Sequence, residues 1–146
     1  MHLLDLITIV ATGLMTGNEL AIAAFVNPAL RRLESGPHAQ ARSVLARSLG
    51  RAMPFWYGLC LALLVLGSFL HRHQANRSAL VTAAAIWVVT ILMSIGILVP
   101  INNRIASRNA PAPGWERDRS KWDVLHCVRV LLLIIAVLVL TNALAA

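Results

Sequence analysis

The chain has 146 residues, of which 58% are hydrophobic and only 13% charged. An average soluble domain is roughly 45–50% apolar and about 25% charged, so this composition excludes a disordered chain and argues against a soluble one. The net charge is +7, from 13 Lys and Arg against 6 Asp and Glu. In so apolar a chain that balance points to anionic lipid headgroups rather than nucleic acid. No zinc-finger spacing, RNP-type motif or long basic helix is present.

A helical membrane span needs about 20 apolar residues. Four stretches qualify, at about 4–28, 54–71, 79–101 and 123–145. The expected fold is all-α: a single four-transmembrane-helix bundle over residues 1–146. The first stretch is not read as a cleaved signal, because no Lys or Arg precedes it and Glu19 interrupts its apolar run. The first connection carries Arg31, Arg32, Arg42, Arg47 and Arg51. Within it, Ala41, Leu45, Leu49 and Ala52 recur at helical spacing with the arginines turned elsewhere. The segment is then either a short amphipathic helix on the inner leaflet or a plain tether. Pro54 opens the second span. His71 and His73 follow its end and read as solvated loop residues. Their H-x-H pair lacks further ligands, and no metal site is expected. Trp87, midway along the third span, either lines a pocket or faces lipid.

The third connection holds Arg104, Arg108, Arg117, Arg119 and Lys121, and turns at Pro111, Pro113 and Gly114. The second connection has only Arg72 and Arg77. Ten basic residues against two place the first and third connections in the cytoplasm and both termini outside. The expected setting is a bacterial inner (plasma) membrane, with the bilayer and a small lipophilic molecule as partners and a homo-oligomer left open. Trp56, Tyr57, Trp115 and Trp122 fall near the inner interface, as an aromatic belt would. Cys60 and Cys127 form no disulfide framework and read as packing residues.

Ionisable residues inside a span are costly and mark function by default. Here they are Glu19, His126 and Arg129. At a rise of 1.5 Å per residue, Glu19 lies roughly 13 Å and Arg129 roughly 10 Å from the inner ends of their helices, so the two can meet. Trp122, His126 and Arg129 share one helix face, with Asp123 beside His126. Thr16, Glu19, Ala23 and Asn27 share another, while Asn102 and Asn103 sit at the inner end of the third span. Pro28, Pro54 and Pro100 either mark the inner helix ends or open the backbone around a cavity. The bundle should have a polar inner half, with an apolar outer half that supplies a pocket and access from lipid.

The run Pro100-Ile101-Asn102-Asn103, a basic loop, and Trp122-Asp123-x-x-His126-x-x-Arg129 resemble the anthrone oxygenase-like family of small four-helix membrane proteins. Gly17, Phe25 and Pro28 in the first span are similar too. The resemblance implies a membrane-embedded oxygenase acting with O2 on a lipophilic phenol or anthrone. In that reading His126, oriented by Asp123, is the base, and Arg129 with Asn102 or Asn103 stabilises the enolate oxygen. Glu19 holds Arg129 or relays the proton, and Trp122 and Asn27 contact substrate. No cofactor is required, although His126 offers one axial position for haem. Two other readings stay open: a haem- or quinone-binding module, and a small proton-coupled multidrug transporter using Glu19.

The charge asymmetry makes a direct prediction. A C-terminal alkaline phosphatase fusion should be active and a C-terminal green fluorescent protein fusion dark; the reverse pattern places the termini in the cytoplasm.

Overall fold

The computed structural model describes residues 3–74, 76–107 and 112–145. Arg108, Pro111 and Ala146 lie outside the described residues. Four helices long and apolar enough to span a membrane form the molecule: α1 (Leu3–Leu30), α2 (Ser35–Leu70), α3 (Arg77–Ala106) and α4 (Trp115–Ala145). Each packs on the next and α4 closes back on α1, giving an up-and-down bundle. Large apolar side chains such as Leu14, Phe25, Phe55, Phe69, Leu92, Leu131 and Leu138 point outward from all four helices. Polar side chains collect inside. That inverted pattern suits a hydrocarbon solvent, where outward apolar surface costs nothing and inward polar groups find partners.

Helix α2 departs from expectation. The segment before Pro54 is neither a separate surface helix nor a tether; α2 runs unbroken from Ser35 through Pro54 to Leu70. Its buried face is Ala39, Arg42, Ser43 and Ala46, so Arg42 points inward while Arg47 and Arg51 face out. The small residues on that face let α2 lie close against the inner end of α3, where Ala46, Ile101 and Ile105 form a compact cluster.

The prolines do not end their helices either. Immediately before Pro28 and Pro100, α1 and α3 each widen into one π turn, Ile22–Val26 and Ser94–Leu98. Proline removes a backbone donor and crowds the carbonyl four residues earlier. In the wider turn Asn27 N–H bonds Ile22 O and Val99 N–H bonds Ser94 O, five residues back, so the crowded region is still satisfied. A register consequence follows. A plain helix of 3.6 residues per turn would rotate a residue eight positions on away from its starting face. The extra residue in the π turn brings Asn27 back under Glu19 and Asn102 under Ser94, and all four line one cavity.

The outer half is solid. Met15, Leu64, Leu80, Ala83, Trp87, Leu133, Ala136 and Leu140 pack there with essentially no exposure. Trp87 is therefore a core residue, its indole N–H donating to Tyr57 O at 3.3 Å. His71 is not solvated: it is buried at the outer end, with Nδ1 3.0 Å from Gly67 O and Nε2 3.6 Å from Asp5. The aromatic belt is also only partly realised, since Tyr57 and Trp115 are buried within the bundle.

Leu133 is fully buried and Leu131, two residues earlier, is 60% exposed. Leu133→Ala should cost about 2–5 kcal/mol by leaving a cavity. Leu131→Ala, which removes only outward surface, should change stability by less than about 0.5 kcal/mol. Unfolding titrations in mixed micelles measure both; equal losses would mean α4 is rotated from the orientation described.

Candidate functional site

Two polar layers occupy the inner half. In the deeper layer Arg129 reaches across the bundle: Nη2 donates to Glu19 Oε2 at 2.6 Å and Nη1 donates to Ser94 Oγ at 3.0 Å. The expected Glu19–Arg129 pair is thus formed, with Glu19 only 1% exposed. His126 completes the layer. Its Nε2 lies 3.2 Å from the Glu19 carbonyl oxygen, an acceptor, so that nitrogen carries the proton. Nδ1 is then left as an acceptor, 2.9 Å from Arg129 Nη2 and 3.2 Å from Glu19 Oε2. Tyr57, from α2, sets its ring 5.6 Å from the Arg129 guanidinium, and its buried hydroxyl faces Glu19 without a close hydrogen bond. All four helices contribute to the layer, α4 with both His126 and Arg129.

The shallower layer is organised by Asp123. Arg42 Nη2 donates to Asp123 Oδ1 at 2.6 Å and Arg31 Nη2 to Oδ2 at 2.7 Å, with Arg119 at 3.8 Å. Arg42 also donates to Asn27 Oδ1 at 2.7 Å. The layers are joined by Trp122, which stacks on His126 (4.5 Å between centroids) and lies under the Arg42 guanidinium (4.7 Å).

Between these layers and α2 lies a cavity of about 400 Å³. Its walls are mostly apolar, from Ile22, Leu45, Leu49, Met53, Leu61, Ile91 and Leu98, while Glu19, Arg129, Tyr57, Arg42, Asn27 and Asn102 supply its polar surface. Its size falls within the range of small-molecule sites, about 300–1,000 Å³. The apolar pocket therefore sits in the inner half beside the ion pair, and not in the outer half.

Several expected placements change. Asp123 does not orient His126; its carboxylate is taken by Arg31 and Arg42, because α2 brings Arg42 within 2.6 Å. His126 is fully buried behind Glu19 and does not reach the cavity wall. Asn103 faces outward, whereas Asn102 lines the cavity and donates to Ala46 O at 3.0 Å. Trp122 and Asn27 do line it. Cys60 is buried and Cys127 is exposed, both as free thiols. Among the described residues no three His, Cys, Asp or Glu side chains come together as a metal site would need.

Three contributors escaped the sequence reading: Arg42, Ser94 and Tyr57. Arg42 sits in a stripe of small residues (Ala39, Ser43, Ala46), which is the mark of a packed face rather than a surface loop. Ser94 follows Thr90 by one helical turn in an uncharged span, and both are buried. Tyr57 carries no distinguishing signal beside Trp56.

Removing one partner of a buried pair leaves an uncompensated charge, at a cost of about 3–5 kcal/mol. Arg129→Met should therefore lower stability by that order, and Glu19→Leu added to it should recover most of the loss. If the double variant is as unstable as the two single losses combined, the pair does not couple in the membrane. Melting of the detergent-solubilised protein reads all three variants.

The family model described as anthrone oxygenase matches residues 42–139, well over half of the chain. The matched span starts at Arg42 and includes Tyr57, Ser94, Asn102, Trp122, His126 and Arg129. Glu19 and Asn27 on α1 lie outside it, so their place in the site rests on geometry. No curated protein and no solved structure matches the chain. With the cavity, the buried Arg129 layer and the family match in agreement, the chain belongs to the anthrone oxygenase family.

Proposed function

We propose that this protein is an oxygenase of the inner (plasma) membrane of a bacterium, with both termini outside, that oxidises a lipophilic anthrone-like phenol with O2. The observation that carries the reading is the cavity's composition. An apolar space ends on a carboxylate, a guanidinium and a buried phenol hydroxyl that has no close partner. A buried donor without a close acceptor is unfavourable, and a ligand oxygen would satisfy it. The substrate this arrangement fits is flat and apolar with one oxygen that becomes anionic during reaction.

In this mechanism Glu19, at the cavity wall, takes a proton from the benzylic CH2, and neutral His126 holds the Glu19 backbone and Arg129 in place behind it. The base role moves from His126 to Glu19, because His126 has no ring nitrogen turned to the cavity. Arg129 and Tyr57 hold the resulting enolate oxygen in a site walled by apolar groups, where such contacts are strongest. The delocalised carbanion passes one electron to O2, and the radical pair combines as a C–O bond to give a peroxide anion, which takes the proton back from Glu19 as a hydroperoxide. Glu19 then removes the second C–H proton as the O–O bond cleaves, which forms the carbonyl. The hydroxide released takes the proton held by Glu19. The balance is CH2 plus O2 giving C=O plus H2O, and the reading asks for no cofactor.

The geometry also weighs against haem ligation and against transport of a cation. Haem ligation through His126 would break its contacts to Glu19 and Arg129 and its stacking on Trp122. A cationic drug would meet Arg42 and Arg129 in the same cavity, which repels it.

Oxygen uptake by proteoliposomes supplied with a panel of anthrones tests the proposal. Glu19→Gln should slow conversion by about 10²–10⁴, the contribution of a positioned base. Tyr57→Phe should slow it by about 10², as loss of one oxyanion donor does. Wild-type rates equal to those of empty liposomes would remove the oxygenase reading, and a Soret band on the purified protein would put a haem-binding module in its place.

A further inference from the structure

We infer that the cavity is loaded sideways from the bilayer, through a gap between α2 and α3, and that Gly58 sets the width of the molecule admitted. The inference takes its substrate class, a flat lipophilic phenol, from the function proposed above. The gap itself stands on the packing of two helices. They touch at two levels. Toward the outer side Trp87 donates to Tyr57 O, and at the inner end Asn102 donates to Ala46 O at 3.0 Å. Near the inner contact the approach is close enough that a Cβ on Gly50 would lie 3.4 Å from Asn102 Nδ2.

From the level of the outer contact, where Gly58 follows Tyr57, inward to the Asn102 contact the helices part. On the α2 side the cavity is bordered by Pro54 and Gly58, both exposed, and a Cβ on Gly58 would meet nothing within 4 Å. Across from them stand Ile95, 64% exposed, and Val99, on and just beyond the π turn of α3. These four residues both line the cavity and reach the outer surface. Their neighbours outside the opening, Phe55, Leu59 and Leu92, are large apolar side chains that project outward. A rim of that composition borders hydrocarbon rather than water. Two features keep the gap open: glycine and proline leave α2 without bulky side chains there, and the π turn displaces the facing wall of α3. Glu19 and Arg129 stand across the cavity, on α1 and α4, and Tyr57 reaches in from α2, so a molecule coming in between the helices meets the polar groups inside. A lipophilic phenol is concentrated in the bilayer already, and this route spares it passage through water.

Anthraquinone is a suitable probe, because it partitions into lipid and quenches tryptophan emission, and Trp122 lines the cavity. In lipid nanodiscs, with Trp56→Phe in every variant so that the other tryptophans away from the cavity are buried, the time course of quenching reads filling without any turnover. Gly58→Ala, Gly58→Leu and Gly58→Phe should slow filling progressively, by about tenfold or more for phenylalanine. Gly13→Phe, on α1 away from the cavity and likewise with nothing within 4 Å of its Cβ position, should fill at the wild-type rate. Should Gly58→Phe fail to fold, Ile95→Phe narrows the gap from the other side and should slow filling in the same way. Unchanged rates in folded Gly58→Phe overturn the proposal. So does slowing by Leu45→Phe, at the inner end of the cavity, without slowing by Gly58→Phe, since that pattern places access on the aqueous side. A wild type that fills through the gap but consumes no O2 with any anthrone keeps the lateral route and removes only the oxygenase.

Discussion

A carboxylate and a guanidinium buried together at membrane depth constrain everything else in this bundle. Moving either ion alone out of water costs several kcal/mol even after relaxation, so neither Glu19 nor Arg129 is tolerable without its partner. The pair sits between α1 and α4 and recruits Ser94 from α3 and the Tyr57 ring from α2. All four helices must therefore arrive at one level in one rotation for the charges to be satisfied. Close packing of the outer half and this polar layer select the same rotation, and the layer adds the penalty of an unpaired charge to any other.

The second layer extends the same logic toward the membrane surface. Asp123 is held by Arg42 and Arg31, with Arg119 nearby, so three cations gather on one anion and leave that end of the bundle positive. The excess suits both the headgroup region and a cavity that accepts developing negative charge. Because Trp122 bridges Arg42 and His126, the two layers are mechanically joined, and a shift of the α1–α2 connection would be felt at the ion pair.

Backbone irregularity provides the room. Helices α1 and α3 use the same device: a π turn, a proline just after it, and polar residues eight positions apart on either side, Glu19 with Asn27 and Ser94 with Asn102. Without the extra residue in each turn the lower asparagines would rotate out of the cavity. Pro54 in α2 does related work: it leaves the Gly50 carbonyl without its helical donor, beside the same space. Irregular backbone at this depth is tolerated where it lines a cavity, and all three instances do.

Composition and periodicity alone determined the class of the molecule: four apolar helices, a polar inner half, and a charged pair whose depths match. These follow from transfer energies and helical rise, which depend on local sequence only. The Trp122-to-Arg129 face was legible for the same reason, since residues i, i+4 and i+7 align whatever lies around them. Side-chain partnership was not legible. Asp123 is adjacent to His126 in the helix yet bonds Arg42 and Arg31, because the choice depends on which helix comes across from it. Arg42 read as a surface cation until α2 proved continuous through Pro54 and turned that residue inward. His126 read as the base, and only the packing of α1 against α4 put Glu19 between it and the cavity. The π turns left no clear mark either, since a proline in a helix is compatible with an end, a kink or a bulge. The choice among these is made by which backbone carbonyls find donors in the assembled bundle, and that is a property of the tertiary structure.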